Sequence, residues 1–258
     1  MTNILMYSIY YDIQPTHPIP KGTLLSYALL VLTVLLLIGG IEFNPGPVQG
    51  SLLSNVKIVH NNVCSLKLKV DIIFNKLCDF DVIGISESHL DRTISDEEIE
   101  FEGFHKPVRL DRNRFGGGVI IYVKNNLQFL IRNDLSNPNI EIIWLEIHCV
   151  NNKFLTGVMY RPPNSRADVL DNLAISLENA RDTGLPIFLM GDFNIDMLAD
   201  GNHIFKHMVQ NFSLTNVITQ PTNYTTTRGT CIDLIITNAV ERIENIDVLP
   251  PFVIHTVQ

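Results

Sequence analysis

From residue 56 onward, short apolar runs alternate with segments of helical periodicity. The runs lie at 56–60, 82–86, 118–123, 142–148, 154–160, 187–190 and 232–236, and each has the length and composition of a strand. Between them, apolar residues recur at helical spacing within 66–77, 169–177 and 204–212. Because strands that alternate with helices are covered on their faces by those helices, the pattern predicts a layered α/β domain.

Composition narrows the classes of protein that this chain can belong to. Hydrophobic residues make up 46% and charged residues 18% of the 258 residues, which allows a packed core and excludes general disorder. The formal net charge of −8 argues against a protein that binds nucleic acid through an excess of basic residues. It still permits an enzyme that collects carboxylates around a cation.

Polar residues follow four of the predicted strands. Asn62 follows the first, Glu87 the second, Asp192 and Asn194 the run at 187–190, and Asp233 lies in the last. Taken singly, each residue is best explained as part of a strand-end turn or a helix cap. Taken together, they offer hard oxygen ligands at one edge of a sheet, and such ligands suit Mg²⁺.

The N-terminal part of the chain divides into two predicted segments before a domain at 48–258. Residues 1–23 are polar and contain prolines, and residues 24–47 begin with a leucine-rich run. The uncharged stretch 22–41 has 20 residues, just enough for a ~30 Å bilayer core at ~1.5 Å per residue. It predicts a membrane contact or a secretory signal.

A second interpretation of this region comes from residues 40–47, which read GIEFNPGP. This motif after an apolar run resembles the ribosome-skipping peptides of viral polyproteins. The resemblance implies that the Gly46–Pro47 bond is not formed and that the downstream protein begins at Pro47. Separation would leave a nuclear or cytoplasmic protein, whereas an anchor or signal at 22–41 would direct the chain to a membrane or secretory route.

Six motifs occur in a fixed order along the domain. They are N-x-x-S-L from Asn62, I-S-E ending at Glu87, R-x-D-R followed by GGGV-x-IYV, YRPP from Tyr160, GDFN ending at Asn194, and T-x-IDLI-x-TN around Asp233. The set is similar to the apurinic-like endonuclease domain of non-LTR retrotransposons, in the endonuclease/exonuclease/phosphatase superfamily. The resemblance implies a four-layer α/β sandwich of two packed mixed β-sheets flanked by helices, here with its last strand missing.

The resemblance also implies a metal site and a water-activating group. Glu87 is expected to be the principal ligand of Mg²⁺ or Mn²⁺, with Asn62 close by. Asp192 is expected to orient or deprotonate the attacking water, helped by Asn194.

Further residues are expected at the scissile phosphate. Tyr160 would hydrogen-bond the phosphate, Asp233 would pair with His255, and Arg161 and Arg112 would contact phosphate or DNA. Arg161 is equally consistent with fixing its own loop, and the charges at 109–114 with plain solvation. The family's terminal S-D-H reads Val-Ile-His at 253–255, so its Asp is absent.

The predicted function is Mg²⁺-dependent nicking of DNA, in partnership with a reverse transcriptase domain of the intact element. One alternative is an inactive or weakened relic, because of the missing S-D-H aspartate. Another is a membrane-associated phosphoesterase of the same superfamily. Of the remaining residues, His89 is expected at the surface, Trp144 in the core and Gly116–Gly118 in a turn.

Overall fold

The computed structural model describes residues 4–12, 55–149, 152–201, 203–224 and 228–252, with 4–12 and 250–252 described by their backbone alone. The strands are β1 (Ile4–Asp12), β2 (Asn55–Asn62), β3 (Val82–Ser86), β4 (Val108–Leu110), β5 (Val119–Val123), β6 (Gln128–Ile131), β7 (Glu141–His148), β8 (Lys153–Tyr160), β9 (Ile187–Asp192), β10 (Thr215–Asn216), β11 (Asn223–Tyr224), β12 (Gly229–Thr230), β13 (Asp233–Thr237) and β14 (Ile243–Phe252). The helices are α1 (Val70–Leu77), α2 (Asp168–Asp182) and α3 (His203–Asn211), with short 3₁₀ turns at Lys67–Lys69, Asp96–Glu98 and Val240–Arg242.

These strands form two six-stranded mixed sheets. Sheet I has the order β14-β1-β2-β3-β5-β4, and sheet II has the order β10-β13-β9-β8-β7-β6. One pair in each sheet is parallel, β2 with β3 and β8 with β9. Each of the seven predicted strands is confirmed, with bounds that differ by a few residues.

The two sheets pack face to face around a shared apolar core. Ile58, Val82 and Ile121 of sheet I belong to the same buried cluster as Val158 and Leu189 of sheet II. The sheets approach so closely at β3 that a Cβ placed on Gly84 would lie 2.5 Å from Val158 Cγ2. Only glycine fits there without displacing a neighbour.

Helices cover the outer faces of both sheets. Ile73 and Leu77 of α1 pack in a second buried cluster with Ile83 and Tyr122 of sheet I. On sheet II, Trp144 Nε1 donates a 2.9 Å hydrogen bond to Ser176 Oγ of α2. The order helix, sheet, sheet, helix confirms the predicted four-layer sandwich, and Trp144 is the core anchor expected.

Two features of the fold differ from the sequence pattern. Ile204 was assigned to the apolar face of α3 but is 79% exposed, because Phe205 and Val209 are the residues that face the core. β1 lies inside the segment predicted to be polar, where it pairs antiparallel with both β2 and β14. The position beside β2 in sheet I is therefore occupied by an N-terminal strand.

Within the described residues, no helix is long and apolar enough to cross a bilayer. The uncharged stretch at 22–41 and the GIEFNPGP motif at 40–47 lie outside those residues. Both interpretations of the N-terminal region stay predictions.

Candidate active site

The strand register brings the predicted site residues to one edge of the sandwich. In sheet II, Asp192 at the end of β9 pairs with Tyr160 on one side and with Asp233 on the other. In sheet I, Asn62 at the end of β2 pairs with Ser86, and Glu87 follows directly. The convergence expected from strand-end positions is thus produced by two sheets, not by one.

Asn62 joins the two halves of this site. Its Nδ2 donates a 3.0 Å hydrogen bond to Glu87 Oε1 and a 2.8 Å hydrogen bond to Asp192 Oδ2. Its Oδ1 accepts from the backbone N–H of Cys64 at 3.1 Å, which fixes the orientation of the amide. One side chain therefore holds a carboxylate of sheet I and a carboxylate of sheet II within hydrogen-bonding reach of the same atom.

Asn194 holds Asp192 from the other side. Its backbone N–H donates to Asp192 Oδ1 at 2.9 Å, and its Nδ2 donates to Asp192 Oδ2 at 3.1 Å and to the carbonyl of Arg161 at 2.9 Å. Asn194 has the left-handed φ of 49°, a conformation that Asn tolerates better than most residues. The result is a buried carboxylate locked in one orientation.

Burial opposes the ionisation of the acidic groups at this edge. Burial raises the pKa of Asp192 to about 6, and the nearby charge of Glu87 contributes to the rise. Burial, with the charge of Asp192, also raises the pKa of Asp233 well above its ordinary value. Burial, with the charges of Glu87 and Asp192, raises the pKa of Tyr160 further above neutral pH.

The loop that carries Glu87 is held in an unusual backbone conformation. Glu87 and His89 both have φ values of 52°, in the left-handed region that costs non-glycine residues about 1–3 kcal/mol. Backbone hydrogen bonds stabilise this conformation: His89 N–H donates to the Gly117 carbonyl and Ser88 N–H to the Gly118 carbonyl. Strain of this kind is typical of loops that hold a functional group in place.

The donor set fits a hard divalent cation. No group of three or more His, Cys, Asp or Glu side chains in the described part of the chain is arranged to hold a metal ion by itself. Mg²⁺, however, needs only one or two carboxylates and completes its shell with water. Glu87 and Asp192 both accept a hydrogen bond from Asn62 Nδ2, and a cation bound between them would offset the burial and the charge of Glu87 that raise the pKa of Asp192.

Asp233 lies beside a buried histidine that the sequence analysis did not single out. His60 Nδ1 is 3.8 Å from Asp233 Oδ1, and neither atom has a hydrogen-bond partner among the described residues. His60 Nε2 contacts Ser86 Oγ at 3.1 Å, and burial lowers the pKa of His60 to about 3. The expected partner of Asp233, His255, lies outside the described residues, so that pairing stays a prediction.

The two arginines predicted to contact substrate are placed differently. Arg161 directs its guanidinium to the carbonyls of Phe193 and Ser165, at 3.2 and 3.3 Å, which fixes its own loop. Arg112 pairs with Glu141 at 2.8 Å and lies over the Tyr160 ring, 5.4 Å from its centre. Arg112 is thus next to the predicted phosphate position, and a phosphate contact of Arg161 stays a prediction.

The structure also adds two residues to the site. His89 was expected at the surface, but it is half-buried and its Nε2 contacts Glu87 Oε2 at 3.1 Å. Cys64 Sγ lies 3.8 Å from the same oxygen, and burial with the charge of Glu87 raises the pKa of Cys64 to about 11. The position of His89 two residues after Glu87 was the only signal in the sequence for its contact.

Solved structures with the same fold include three phosphoester-processing proteins. The endonuclease domain of TRAS1, a telomere-specific non-LTR retrotransposon, matches with a TM-score of 0.54 and 12% identity, over 71% of this chain and 85% of that one. An AP endonuclease from Archaeoglobus fulgidus matches with a TM-score of 0.52 and 14% identity, over 71% of this chain and 86% of that one. The 3′ phosphatase NExo from Neisseria, bound to a product DNA hairpin, matches with a TM-score of 0.51 and 17% identity, over 69% of this chain and 84% of that one.

No curated protein matches the chain. The family described as "Endonuclease/Exonuclease/phosphatase family" matches residues 53–255, which include both sheets from β2 onward and every predicted site residue. Its members are phosphoester hydrolases that generally use divalent metal ions. The chain belongs to the Endonuclease/Exonuclease/phosphatase family.

Proposed function

We propose that this domain is a Mg²⁺-dependent endonuclease that nicks DNA and leaves a 3′-hydroxyl end. The observation that carries the proposal is the double hydrogen bond of Asn62 to Glu87 and Asp192, which gathers hard oxygen donors from both sheets at one point. Glu87 would hold the cation, and Asn62 would join it through Oδ1 once its amide turns over, because the Nδ2 that faces the carboxylates cannot ligate a metal. When bound, a divalent cation neutralises charge on the phosphate and lowers the pKa of a water.

Asp192 is suited to orient the attacking water. Its Oδ2 already accepts two hydrogen bonds, from Asn62 and Asn194, while its Oδ1 accepts one, from the backbone N–H of Asn194. A carboxylate oxygen can accept two hydrogen bonds, so Oδ1 can accept one more, from a water. Because fixed donors hold both carboxylate oxygens, the free lone pair of Oδ1 has a defined direction. A water bound to that lone pair would therefore be held in one position, as attack on the phosphate requires.

Tyr160 would donate its hydroxyl proton to a non-bridging phosphate oxygen. Its hydroxyl is protonated at neutral pH, as that of an ordinary tyrosine is, and burial with two neighbouring carboxylates raises its pKa further. Arg112, stacked over the ring, adds a positive charge on the side of the phosphate. Fixed donors aimed at the developing charge lower the barrier more than mobile water does.

The DNA substrate and the element of origin rest on sequence order and on fold neighbours. The six motifs occur in the order found in retrotransposon endonucleases, and TRAS1 supplies a neighbour of that class with the same fold. In such an element the nicked end would prime a reverse transcriptase domain. The missing aspartate of the S-D-H motif makes a relic with little turnover the competing outcome.

The test is nicking of supercoiled plasmid by the full chain, with Mg²⁺, with Mn²⁺ and with EDTA. We expect nicking with either metal and none with EDTA. Glu87→Gln and Asp192→Asn should each lower the rate by at least ~10²-fold. The matched controls are Glu102→Gln and Asp182→Asn, which change exposed side chains outside the site. A folded wild-type protein without metal-dependent nicking would support the relic.

A further inference from the structure

A surface loop beside the site presents an aromatic side chain that the proposed reaction does not use. The Arg-Phe loop, residues 112–116, connects β4 to the glycines that lead into β5. Phe115 at its tip is 83% exposed. A large aromatic side chain in water lacks the free energy of burial, which a partner that covers the ring would supply.

The loop is rigid and tied to the site. Asn113 Oδ1 accepts from the N–H of Phe115 at 2.9 Å, and the Asn113 carbonyl accepts from Gly116 N–H at 3.3 Å, which closes a tight turn. Directly after Gly116, the Gly117 carbonyl accepts a hydrogen bond from the N–H of His89, in the loop that carries Glu87. The tip is therefore held at a fixed place next to the catalytic edge, and little conformational entropy is lost when it binds.

Positive charge accompanies the aromatic ring. The guanidinium of Arg114 lies over the Phe115 ring, 5.1 Å from its centre, and Arg114 is itself exposed. Arg112 and Tyr160 line a recess of about 460 Å³ that also includes the exposed Arg166. Arg109 in β4 is ion-paired with Asp111 and Asp96, and Arg112 is ion-paired with Glu141.

Gly117 shows that the arrangement of Arg112 is built into the backbone. A Cβ on Gly117, whose φ is +68°, would lie 2.4 Å from Arg112 Cζ. The absence of a side chain there lets the guanidinium lie flat between the loop and Tyr160. The glycine-rich run thus leaves room for the Arg112–Glu141 ion pair in addition to making a turn.

We propose that the Arg-Phe loop is a DNA-contacting element in which Phe115 stacks on an unstacked base beside the scissile phosphate. This inference rests on the proposed nuclease function. Stacking is the form of affinity that suits a chain of net charge −8, because it needs no excess of basic residues. Arg114 and Arg112 would contact the flanking phosphates and hold the strand against the ring.

The test is equilibrium binding of a fluorescein-labelled DNA duplex with one unpaired adenine, by anisotropy, to the full chain without added metal. Phe115→Ala should weaken binding about 10-fold, whereas Phe115→Trp should keep it within about 2-fold, because indole also stacks. The matched control is Ile204→Ala, which removes an apolar side chain that is 79% exposed on α3. Phe115→Ala should leave the salt dependence of binding unchanged, and Arg114→Gln should reduce its slope by about one.

A second assay separates this inference from the proposed function. Hydrolysis of bis(p-nitrophenyl) phosphate, a diester without a DNA base, should be the same in wild type and Phe115→Ala. Equal DNA binding by these two proteins would overturn the inference even if both nick plasmid. Phe115-dependent DNA binding by a chain that hydrolyses neither substrate would uphold the inference and overturn the proposed function. Phe115-dependent sedimentation with phosphatidylserine vesicles, without Phe115-dependent DNA binding, would assign the loop to a membrane instead.

Discussion

The two sheets of this molecule draw their strands from different parts of the chain. Sheet II takes its six strands from one stretch, β6 to β13, within residues 128–237. Sheet I combines β2 to β5 with β1 from residues 4–12 and β14 from residues 243–252. β14 is bonded to this sheet only through β1, since β1 lies between it and β2.

This difference matters because the site needs both sheets. Asp192, Tyr160 and Asp233 belong to the sheet built from one stretch of chain, whereas Asn62 is on β2, directly beside β1. Anything that removes β1 would turn β2 into an edge strand and leave β14 unpaired. Separation of residues 1–46 during translation, as the GIEFNPGP motif predicts, would do this, so the two interpretations of the N-terminus have opposite structural consequences.

Deletion of residues 1–46 should give the largest effect on stability. We expect 47–258 to lose about half of the roughly 5–15 kcal/mol that stabilises a typical domain, because two ladders of sheet I are lost. Urea unfolding followed by circular dichroism would measure it, with Ser8→Pro as the in-chain equivalent and Ser8→Ala as its control. Proline removes the backbone N–H from the ladder and alanine keeps it.

Equal urea midpoints for the full chain and 47–258 would show that β1 contributes nothing to stability. The asymmetry between the sheets would then disappear, and the skipping interpretation would gain support.

The contact between the sheets should be the next most sensitive feature. Gly84→Ala places a Cβ 2.5 Å from Val158 Cγ2 and 3.0 Å from Met190 Sδ, both closer than van der Waals contact, so we expect a loss of about 1–3 kcal/mol from overpacking. Gly201→Ala is the matched control, because a Cβ there meets nothing within 4 Å. Thermal unfolding of both variants provides the comparison, and an unchanged midpoint for Gly84→Ala would mean that the sheets are less tightly packed than described.

The smallest predicted effect concerns His89, which contacts Glu87 at the sheet I side of the site. As a positioning residue, it should affect the metal requirement more than the stability of the fold. His89→Ala should raise the Mg²⁺ concentration for half-maximal nicking by about 10-fold. His89→Gln, which retains a side-chain N–H donor, should bring that concentration most of the way back to the wild-type value. A lower maximal rate at saturating Mg²⁺ with no change in the half-maximal concentration would contradict this role.

Local patterns predicted most of the elements and the group of strand-end polar residues that the fold brings together. The short apolar runs identified the central strands, and the polar residues after them identified Asn62, Glu87 and Asp192, because strand ends meet at one edge of an α/β fold. The contacts between sheets were not predictable. Asn62 and Asp192 are 130 residues apart, so no local pattern could join them.

The same reason explains the missed residues. β1 has no neighbour in sequence among the strands that it pairs with, and its place between β2 and β14 depends on long-range pairing alone. His60 is buried because its side chain points between the two sheets, toward Asp233 of sheet II, which a single sequence does not reveal. Ile204 fits the helical period of α3 but lies just outside the arc that faces the core.

If one site is assembled from both sheets, Glu87 and Asp192 act as a unit, and a double-mutant cycle measures that coupling. The measurement is the single-turnover rate of plasmid nicking for wild type, Glu87→Gln, Asp192→Asn and the double variant, at one saturating Mg²⁺ concentration. Groups that act as a unit give strongly non-additive losses. We therefore predict that the double variant is about as slow as the slower single variant. Losses that multiply, or single variants as fast as wild type, would contradict a shared site at Glu87 and Asp192.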